Sequence, residues 1–386
     1  MGSKLRGLDA TILEISDLAE DSEWDAFLQR VPQGHHRQTT LWARLKATQG
    51  WNSLRVIARR DGEIVGGAQL SHRKLTRWWG SVGQLPSGPV TKSNDADLRR
   101  HILEAVVAVA RRKRIQFLCV QPPMKSDLAS NPIDFPGFQK ASVDLLPPAT
   151  LLIDLDKSLE ELSRGLRKST RRNIRLAERR GVVVRECGRQ ELQLFHRLLQ
   201  QTGNRQGFVP EPLNFYESLW DLFAPPGFLH ATIAEVRGQP VASNLAIAFG
   251  SSVSWKRGGW SGEHGDLHPN EAILWESLVW GKSRGYKVCD VEGVDIGVAR
   301  MLASGQEVAV GAKIGPSIFK IGFGGALVFA PPATVFIPNP IFRLGYKSIQ
   351  SKLRNHRAFH WILNQFSGRR TLVRTSAILS QLCTLS

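Results

Sequence analysis

Cysteine is scarce. Cys119, Cys187, Cys289 and Cys383 stand far apart, with no C-x-x-C and no Cys/His cluster among them. Their separation speaks against a disulfide framework and a structural zinc site, and it leads us to expect a reducing, cytoplasmic setting. Long apolar runs are missing too: no stretch of about eighteen apolar residues occurs, and the opening MGSKLRGLDATILEIS lacks the apolar centre of a signal peptide. We therefore expect neither a membrane span nor export by that route. No G-x-S-x-G elbow and no Walker loop occurs, so serine-hydrolase and P-loop chemistry are not indicated. Acidic residues are few. Against 51 Lys and Arg there are 34 Asp and Glu, a formal charge of +17. Such an excess bears on partners rather than on fold, and it favours nucleic acid, an anionic membrane or phosphorylated substrates.

What is present is an ordinary globular composition in a chain of 386 residues, too long for one core. Its two halves repeat one order of elements. SLRVIARRDGEIVGGAQL reads as a hairpin turning at Asp61-Gly62, a helix follows over 98–113, and IQFLCV is a buried strand. FLHATIAEVRGQPVASNLAI repeats the hairpin. Its Ile233-Ala234, Gly238 and Val241 stand 176 residues after Ile57-Ala58, Gly62 and Val65. NEAILWESLVWGKSRGYKVCDVEG again gives a helix and a strand. We read an internal duplication into two α/β domains with mixed sheets, joined near Leu146-Pro147-Pro148. Beyond residue 315 the chain turns glycine- and proline-rich, and beyond 341 it is basic and helix-like.

The most unusual stretch is 164–186, RGLRKSTRRNIRLAERRGVVVRE. Between Arg167 and Arg180 lie seven basic residues and one acid, Glu178. Leu166, Thr170, Ile174 and Ala177 form a helical stripe able to dock on a core, while Arg164, Arg167, Lys168, Arg171, Arg172, Arg175 and Arg179 fill the other faces. Gly181 ends the helix. Such a run also serves as a solvated face, but the acids that would lace that face are nearly absent. Self-repulsion would then destabilise the helix unless a polyanion relieves it.

TLLIDLDKSLEELSRGLRKSTRRNIRLAERRGVVVRE resembles the start of the second domain of the Fem-type (FemABX) aminoacyltransferases. HPNEAILWESLVWGKSRGYKVCDVEGVD is similar to that family's P-x-x-L-x-W-E…D-x-x-G segment. Ile318-Phe319-Lys320-Ile321-Gly322-Phe323-Gly324-Gly325 is similar to its closing F-K-x-x-F-G, and QTTLWARLKATQGW to its Q-x-x-x-W-x-x-x-K…G-W. The resemblance runs from about residue 38 to about 345. It implies two tandem acetyltransferase-like (GNAT) domains: residues 1–148, completed by 316–345, then residues 149–315 carrying the basic helix 164–181, with 346–386 as a basic helical tail. It also implies transfer of an amino acid from aminoacyl-tRNA to an amine, on a peptidoglycan precursor or a small natural product, with tRNA as co-substrate and no other cofactor.

Two departures stand out. The long helical-hairpin arm of the staphylococcal members is missing, so tRNA would be held by the domain surface. Where many relatives have Tyr-x-x-Gly-Ala-Ser, this chain has Trp255-Lys256-Arg257-Gly258-Gly259-Trp260.

Amine attack on an activated ester needs no metal. It needs alignment and a cation for the oxyanion. Lys320 is our candidate for that cation, with Gly322, Gly324 and Gly325 permitting close backbone approach; Phe319-Lys320 matches the family's donor-side Phe-Lys. The same lysine could be a surface residue on an edge strand. Arg167, Lys168, Arg171, Arg172 and Arg175 are the tRNA-binding candidates. Trp42 and Lys46, one helical turn apart, fit the acceptor side by resemblance or a packed stem over a ring. Arg205, read in a loop, and Tyr216, on the helix after it, offer the acceptor a guanidinium for a phosphate and a phenol for positioning. Asp290 and Glu292 are candidates for the general base, or members of a strand-end turn. His35-His36 find no third ligand at suitable spacing, so no metal site is expected.

An acyl-CoA-dependent N-acetyltransferase or N-acyltransferase shares the implied fold. Its glycine-rich R/Q-x-x-G-x-G/A turn, which would hold a pyrophosphate, has no good copy here. A non-enzymatic binder of nucleic acid or membrane would explain the charge, with Trp361 and its basic neighbours suggesting lipid contact at the inner membrane face. It leaves the paired domains without a purpose.

Overall fold

The computed structural model describes residues 5–6, 11–76, 80–124, 135–306 and 315–353. The chain forms two compact units, each built from separated segments. The first takes residues 1–18, 50–146 and 331–386. Its strands are β1 (Leu5–Arg6), β2 (Ile12–Ser16), β3 (Asn52–Arg60), β4 (Glu63–Thr76), β5 (Gly80–Pro86), β6 (Val90–Thr91), β7 (Ile115–Gln121), β8 (Phe138–Lys140) and β16 (Thr334–Phe336), with helices α3 (Ala96–Arg112) and α11 (Pro340–Leu353). The sheet runs β1-β2-β3-β4-β5-β7-β16-β8, with β6 beside β4. Helix α3 forms where the 3.6-residue apolar stripe predicts it, and Asp95 caps it by accepting from the Leu98 amide at 2.8 Å. Ile102, Val106 and Ala110 of its stripe are fully buried in the core. The larger two of these side chains, Ile102 and Val106, each contribute roughly 2 kcal/mol by that burial.

The second unit takes residues 19–49 and 147–330. It holds α1 (Ser22–Arg30), α2 (Thr40–Ala47), β9 (Ala149–Asp154), α4 (Leu159–Gly165), α5 (Lys168–Arg179), β10 (Val182–Glu186), α6 (Leu192–Gln206) and α7 (Leu213–Phe223). After these come β11 (Leu229–Val236), β12 (Gln239–Phe249), β13 (Ser252–Trp260), α8 (Pro269–Ser283), β14 (Val288–Asp290), α9 (Ile296–Ala303), α10 (Gly315–Ile321) and β15 (Ala326–Phe329). The sheet order is β10-β11-β12-β13-β14-β9-β15.

The repeat seen in the sequence is a repeat of structure. In each unit a hairpin leads to a third strand, then to a helix, then to a strand parallel to the third. The turns match in detail: Asp61 and Gly62 have φ of 51° and 85°, Arg237 and Gly238 have 51° and 75°, the left-handed pair of a type I′ turn. Each hairpin shifts register at the equivalent place, between Ala58 and Arg59 and between Ala234 and Glu235.

The domain limits differ from those read in the sequence. Residues 19–49 belong with the second unit because their apolar faces are buried there. Leu45 packs with Phe195, Tyr216, Phe223 and Leu245 in one core cluster. Residues 316–330 also stay with the second unit, since β15 pairs with β9, Ala326 opposite Leu152. Only the later part of the returning segment completes the first unit, where β16 joins β7 and β8. The basic tail is helical through Leu353; Trp361 and everything after residue 353 lie outside the described residues.

Candidate active site

The second unit carries a gap that the first does not. Its parallel pair β13 and β14 is in register for only three residues, Ser252 with Val288 through Ser254 with Asp290. β13 then runs on to Trp260 while β14 stops. The counterpart pair β5 and β7 stays paired from Ser81 with Ile115 to Pro86 with Gln121. A ligand crevice outside the carboxyl ends of parallel strands is where such sheets place their chemistry, and here two local distortions aim side chains at it.

The first distortion is a bulge in β13. Leu245 pairs with Arg257 and the next residue, Ala246, with Trp255, so Lys256 is the extra residue. An unpaired bulge residue is free to re-aim its side chain. The second follows β14. Val291 and Val294 still donate to Leu151 and Ala149 across the sheet, at 3.2 and 2.8 Å, so Glu292 and Gly293 loop out between them. Glu292 has φ of 46° and Gly293 φ of 91°. For a glutamate that is a strained conformation, costing on the order of 1 kcal/mol or more and kept only where its surroundings impose it.

Those surroundings make Glu292 a hub. Its carboxylate accepts from Lys256 Nζ at 2.7 and 3.0 Å and from an Arg37 guanidinium nitrogen at 3.1 Å. All three side chains are withdrawn from water, with 7% of Glu292, 9% of Lys256 and 13% of Arg37 exposed. Its amide donates to Asp290 Oδ1 at 2.8 Å, which also accepts from Thr150 Oγ1 at 2.6 Å. Its carbonyl, with that of Gly293, accepts from Lys320 Nζ at 2.5 and 2.9 Å. Lys256 also lies over the Trp42 ring, 5.6 Å from its centroid, and Trp42 packs edge-on against His36 at 5.2 Å.

The charges follow from this packing. Burial alone would raise the Glu292 carboxyl, but Lys256 and Arg37 hold it down at about 2. Burial, then Arg37, pushes Lys256 down to about 7. Burial likewise brings Lys320 to about 8, with Glu292 and Asp290 resisting. Asp290 is raised by burial and by the charge of Glu292. His35 and His36 are lowered by burial and stay neutral. The cluster thus presents two lysines able to change charge near neutrality beside one carboxylate that cannot.

The fold also supplies the third donor that spacing in the sequence denied to the histidine pair. His35, His36 and Glu292 bring ligand atoms within 4.8 Å of one another. Arg37 and Lys256 already neutralise that carboxylate, however, and a divalent ion placed there would meet both cations.

The candidates fare unequally. Lys320 and Asp290 join the cluster. Lys320 sits in the last turn of helix α10 rather than on an edge strand, and the half-buried Phe319 packs edge-on against Phe323 at 5.5 Å. The close approaches expected of the glycines are present: a Cβ on Gly322 would fall 2.3 Å from Thr170 Oγ1, and one on Gly325, at φ 98°, would fall 2.8 Å from the Leu152 carbonyl. Trp42 faces the cluster, although the cation at its ring is Lys256; Lys46 Nζ donates to Gln49 Oε1 at 3.0 Å.

Arg205 and Tyr216 do not take the roles expected of them. Arg205 lies in the last turn of α6, not in a loop. Its guanidinium donates to the carbonyls of Ser261, at 2.8 Å, and Trp260, and stacks over the Trp260 ring. Tyr216 is only 1% exposed, ringed by Phe195 and Phe215, so it is a core residue.

The basic stretch is two helices. A break at Leu166-Arg167 separates α4 from α5, so Arg164 lies in the last turn of the first. The predicted stripe does dock: Leu166, Thr170 and Ala177 are buried and Ile174 packs on the core. Arg171 caps α4 by donating to the Ser163 carbonyl at 3.1 Å. Arg167, Lys168, Arg172 and Arg175 are exposed, and no ion pair reaches them among the described residues. The Arg167 amide donates to Gly322 at 2.9 Å, which ties the start of this helix to the turn that follows Lys320. Arg37 and Lys256 were missed in the sequence. Arg37 lies 255 residues from Glu292, and nothing in W-K-R-G-G-W announces a bulge.

Comparison with known proteins agrees with this architecture. Residues 164–295 match a model described as an acetyltransferase (GNAT) domain, and residues 19–133 match the FemAB family. A protein of Staphylococcus saprophyticus named lipid II:glycine glycyltransferase is 28% identical over 235 residues, 58% of this chain and 57% of that one. Its Staphylococcus aureus counterpart is 27% identical over 217 residues, 54% and 52% of the two chains. The chain thus spans little more than half the length of these curated relatives. Among solved structures, FemX superposes with a TM-score of 0.74 at 19% identity, covering 87% of this chain and all of that one. A conserved protein of unknown function from Bacteroides thetaiotaomicron gives 0.51 at 12% identity, covering 84% and 99%. The duplicated sheets and these matches taken together give the chain a GNAT-like fold and a resemblance to FemABX-type proteins.

Proposed function

We propose that the chain is an aminoacyltransferase that moves an amino acid from aminoacyl-tRNA to the amine of a peptidoglycan-precursor-like acceptor, forming an amide bond. The observation that carries this reading is Lys320, fixed by two carbonyls at the mouth of the open strand pair and tied through Gly322 to the exposed basic helix α5. In the reaction the acceptor nitrogen attacks the ester carbonyl, and the Lys320 ammonium stabilises the oxyanion that forms. The C–O bond to the terminal ribose breaks and the tRNA leaves with its hydroxyl restored. The proton of the attacking amine passes to Asp290, whose raised pKa makes it a better base than an ordinary carboxylate, and from Asp290 to the departing ribose oxygen, which restores both groups. Arg167, Lys168, Arg172 and Arg175 hold tRNA phosphates, and Trp42 faces the acceptor. No further cofactor enters. A tRNA substrate sets the work in the cytoplasm, and a lipid-carried acceptor would bring it to the inner face of the membrane.

The relatives' printed name, lipid II:glycine glycyltransferase, supports the class of reaction and of acceptor. The test offers the purified protein a panel of labelled aminoacyl-tRNAs and, separately, labelled acetyl-CoA, each with muropeptide amines. Label is expected to move from tRNA. Movement from the thioester alone would replace this reading with an ordinary N-acetyltransferase. Lys320→Ala should abolish transfer while tRNA binding survives; lost binding with intact single-turnover chemistry would mean that Lys320 has been given the wrong role.

A further inference from the structure

The described residues include seven large hydrophobic side chains that are exposed, and three of them fall within four positions of one helix turn: Ile341 at 76%, Phe342 at 46% and Leu344 at 68%. Single exposed apolar residues are ordinary, whereas a contiguous group marks a surface that meets something. This turn is not frayed chain. Asn339 caps α11 by accepting from the Ile341 and Phe342 amides at 2.9 and 3.3 Å. Between the exposed residues, Arg343 turns inward, its guanidinium donating to the Ile337 and Pro338 carbonyls at 3.1 and 3.4 Å. One turn on, the Tyr346 hydroxyl bonds Ser142 Oγ at 2.8 Å. Polar anchors thus pin one face of the helix to its own unit and leave the aliphatic face outward.

The surrounding sequence is one-signed. Residues 341–386 contain eight Lys and Arg and no Asp or Glu. We propose that the first turn of α11 is a membrane-contacting element: Ile341, Phe342 and Leu344 enter the interfacial layer of an anionic phospholipid bilayer, whose headgroups attract a helix that carries Lys347 and Lys352 and no acid. Charge alone would suit RNA equally. The Phe342 ring would suit either, so Ile341 and Leu344 decide between the two: they gain nothing from phosphates and have no planar face for a base, whereas both gain from leaving water for acyl chains. The proposal goes beyond the transfer reaction and does not depend on it, since none of the Lys320 cluster takes part.

The test is flotation of the full chain with vesicles of phosphatidylcholine alone and of phosphatidylcholine mixed with phosphatidylglycerol. The protein is expected to float with the anionic vesicles and less so as salt rises. Combining Ile341→Asp with Leu344→Asp should weaken that binding about tenfold or more, leaving thermal unfolding and tRNA affinity unchanged. Four results would overturn the proposal. They are no flotation of the parent protein, equal flotation of the variant, a variant that loses tRNA affinity instead, and a variant that only converts a dimer to a monomer. None of these would touch the tRNA transfer assay, which stands or falls separately.

Discussion

Replacing Glu292 by glutamine keeps the shape of the hub and removes its charge, and the structure sets the size of the effect. The carboxylate is held at about 2 against an ordinary 4.5. At about 1.4 kcal/mol per unit, that difference gives about 3 kcal/mol of stability from this group. The sign is that of a depressed carboxyl: the contribution is complete above pH 4.5 and is lost as pH falls towards 2. Removing one partner of a buried ion pair costs about 3–5 kcal/mol by a separate route, so the two figures agree at the lower end. Lys256 limits the loss. Without its anion its pKa falls below the present value of about 7, and at neutral pH it sheds its proton rather than remaining a stranded charge. We expect Glu292→Gln to lower unfolding free energy by about 3 kcal/mol at pH 7. The loss should shrink towards zero as pH drops from 4.5 to 2, because the parent protein loses the same contribution there. Urea denaturation followed by tryptophan fluorescence at several pH values measures both quantities; Trp24, Trp42 and Trp255 report on this unit. A loss below about 1 kcal/mol at pH 7, or a variant that keeps the full acid sensitivity of the parent, would refute the hub.

Two further outcomes follow from the same geometry. Changing Arg167, Lys168, Arg172 and Arg175 together to alanine should reduce the slope of log tRNA affinity against log salt by about 3–4; filter binding over a salt series measures it, and an unchanged slope would remove α5 from the RNA contact. Gly325→Ala forces a side chain into the left-handed region and against the Leu152 carbonyl. It should cost about 1–3 kcal/mol and disturb the Lys320 turn, whereas Gly165→Ala, with nothing nearby and φ outside that region, should leave stability within about 1 kcal/mol by the same denaturation assay.

Much of the fold was legible because it rests on short-range signals. Hairpin turns, apolar periodicity and the Ile-Ala…Gly…Val repeat all act within a few residues, and each marks an element that formed. Lys320 and Asp290 were legible through motif and strand-end position. The rest of the site was not. Arg37, Lys256 and Glu292 meet only through a bulge and a looped-out residue that no local pattern encodes, so the sequence showed Glu292 as a possible base and Arg37 not at all. Arg205 and Tyr216 went the other way. Residue type suggested binding groups, but neighbouring carbonyls and aromatic rings had already claimed them. The limits of the two units were missed because proline pairs mark joins along the chain, while the sorting of 19–49 depends on where Leu45 finds its core.

That sorting has a kinetic consequence. A ribosome releases α1 and α2 early, yet the segment that completes their unit ends about 280 residues later. At about 5–20 residues per second the two helices wait on the order of tens of seconds for their partners. During that interval Trp24, Phe27, Leu28 and Leu45, all buried in the finished molecule, are open to chaperones and to self-association. A fragment beginning at the proline pair would never acquire them, so cutting the gene at its most obvious seam would separate neither unit intact.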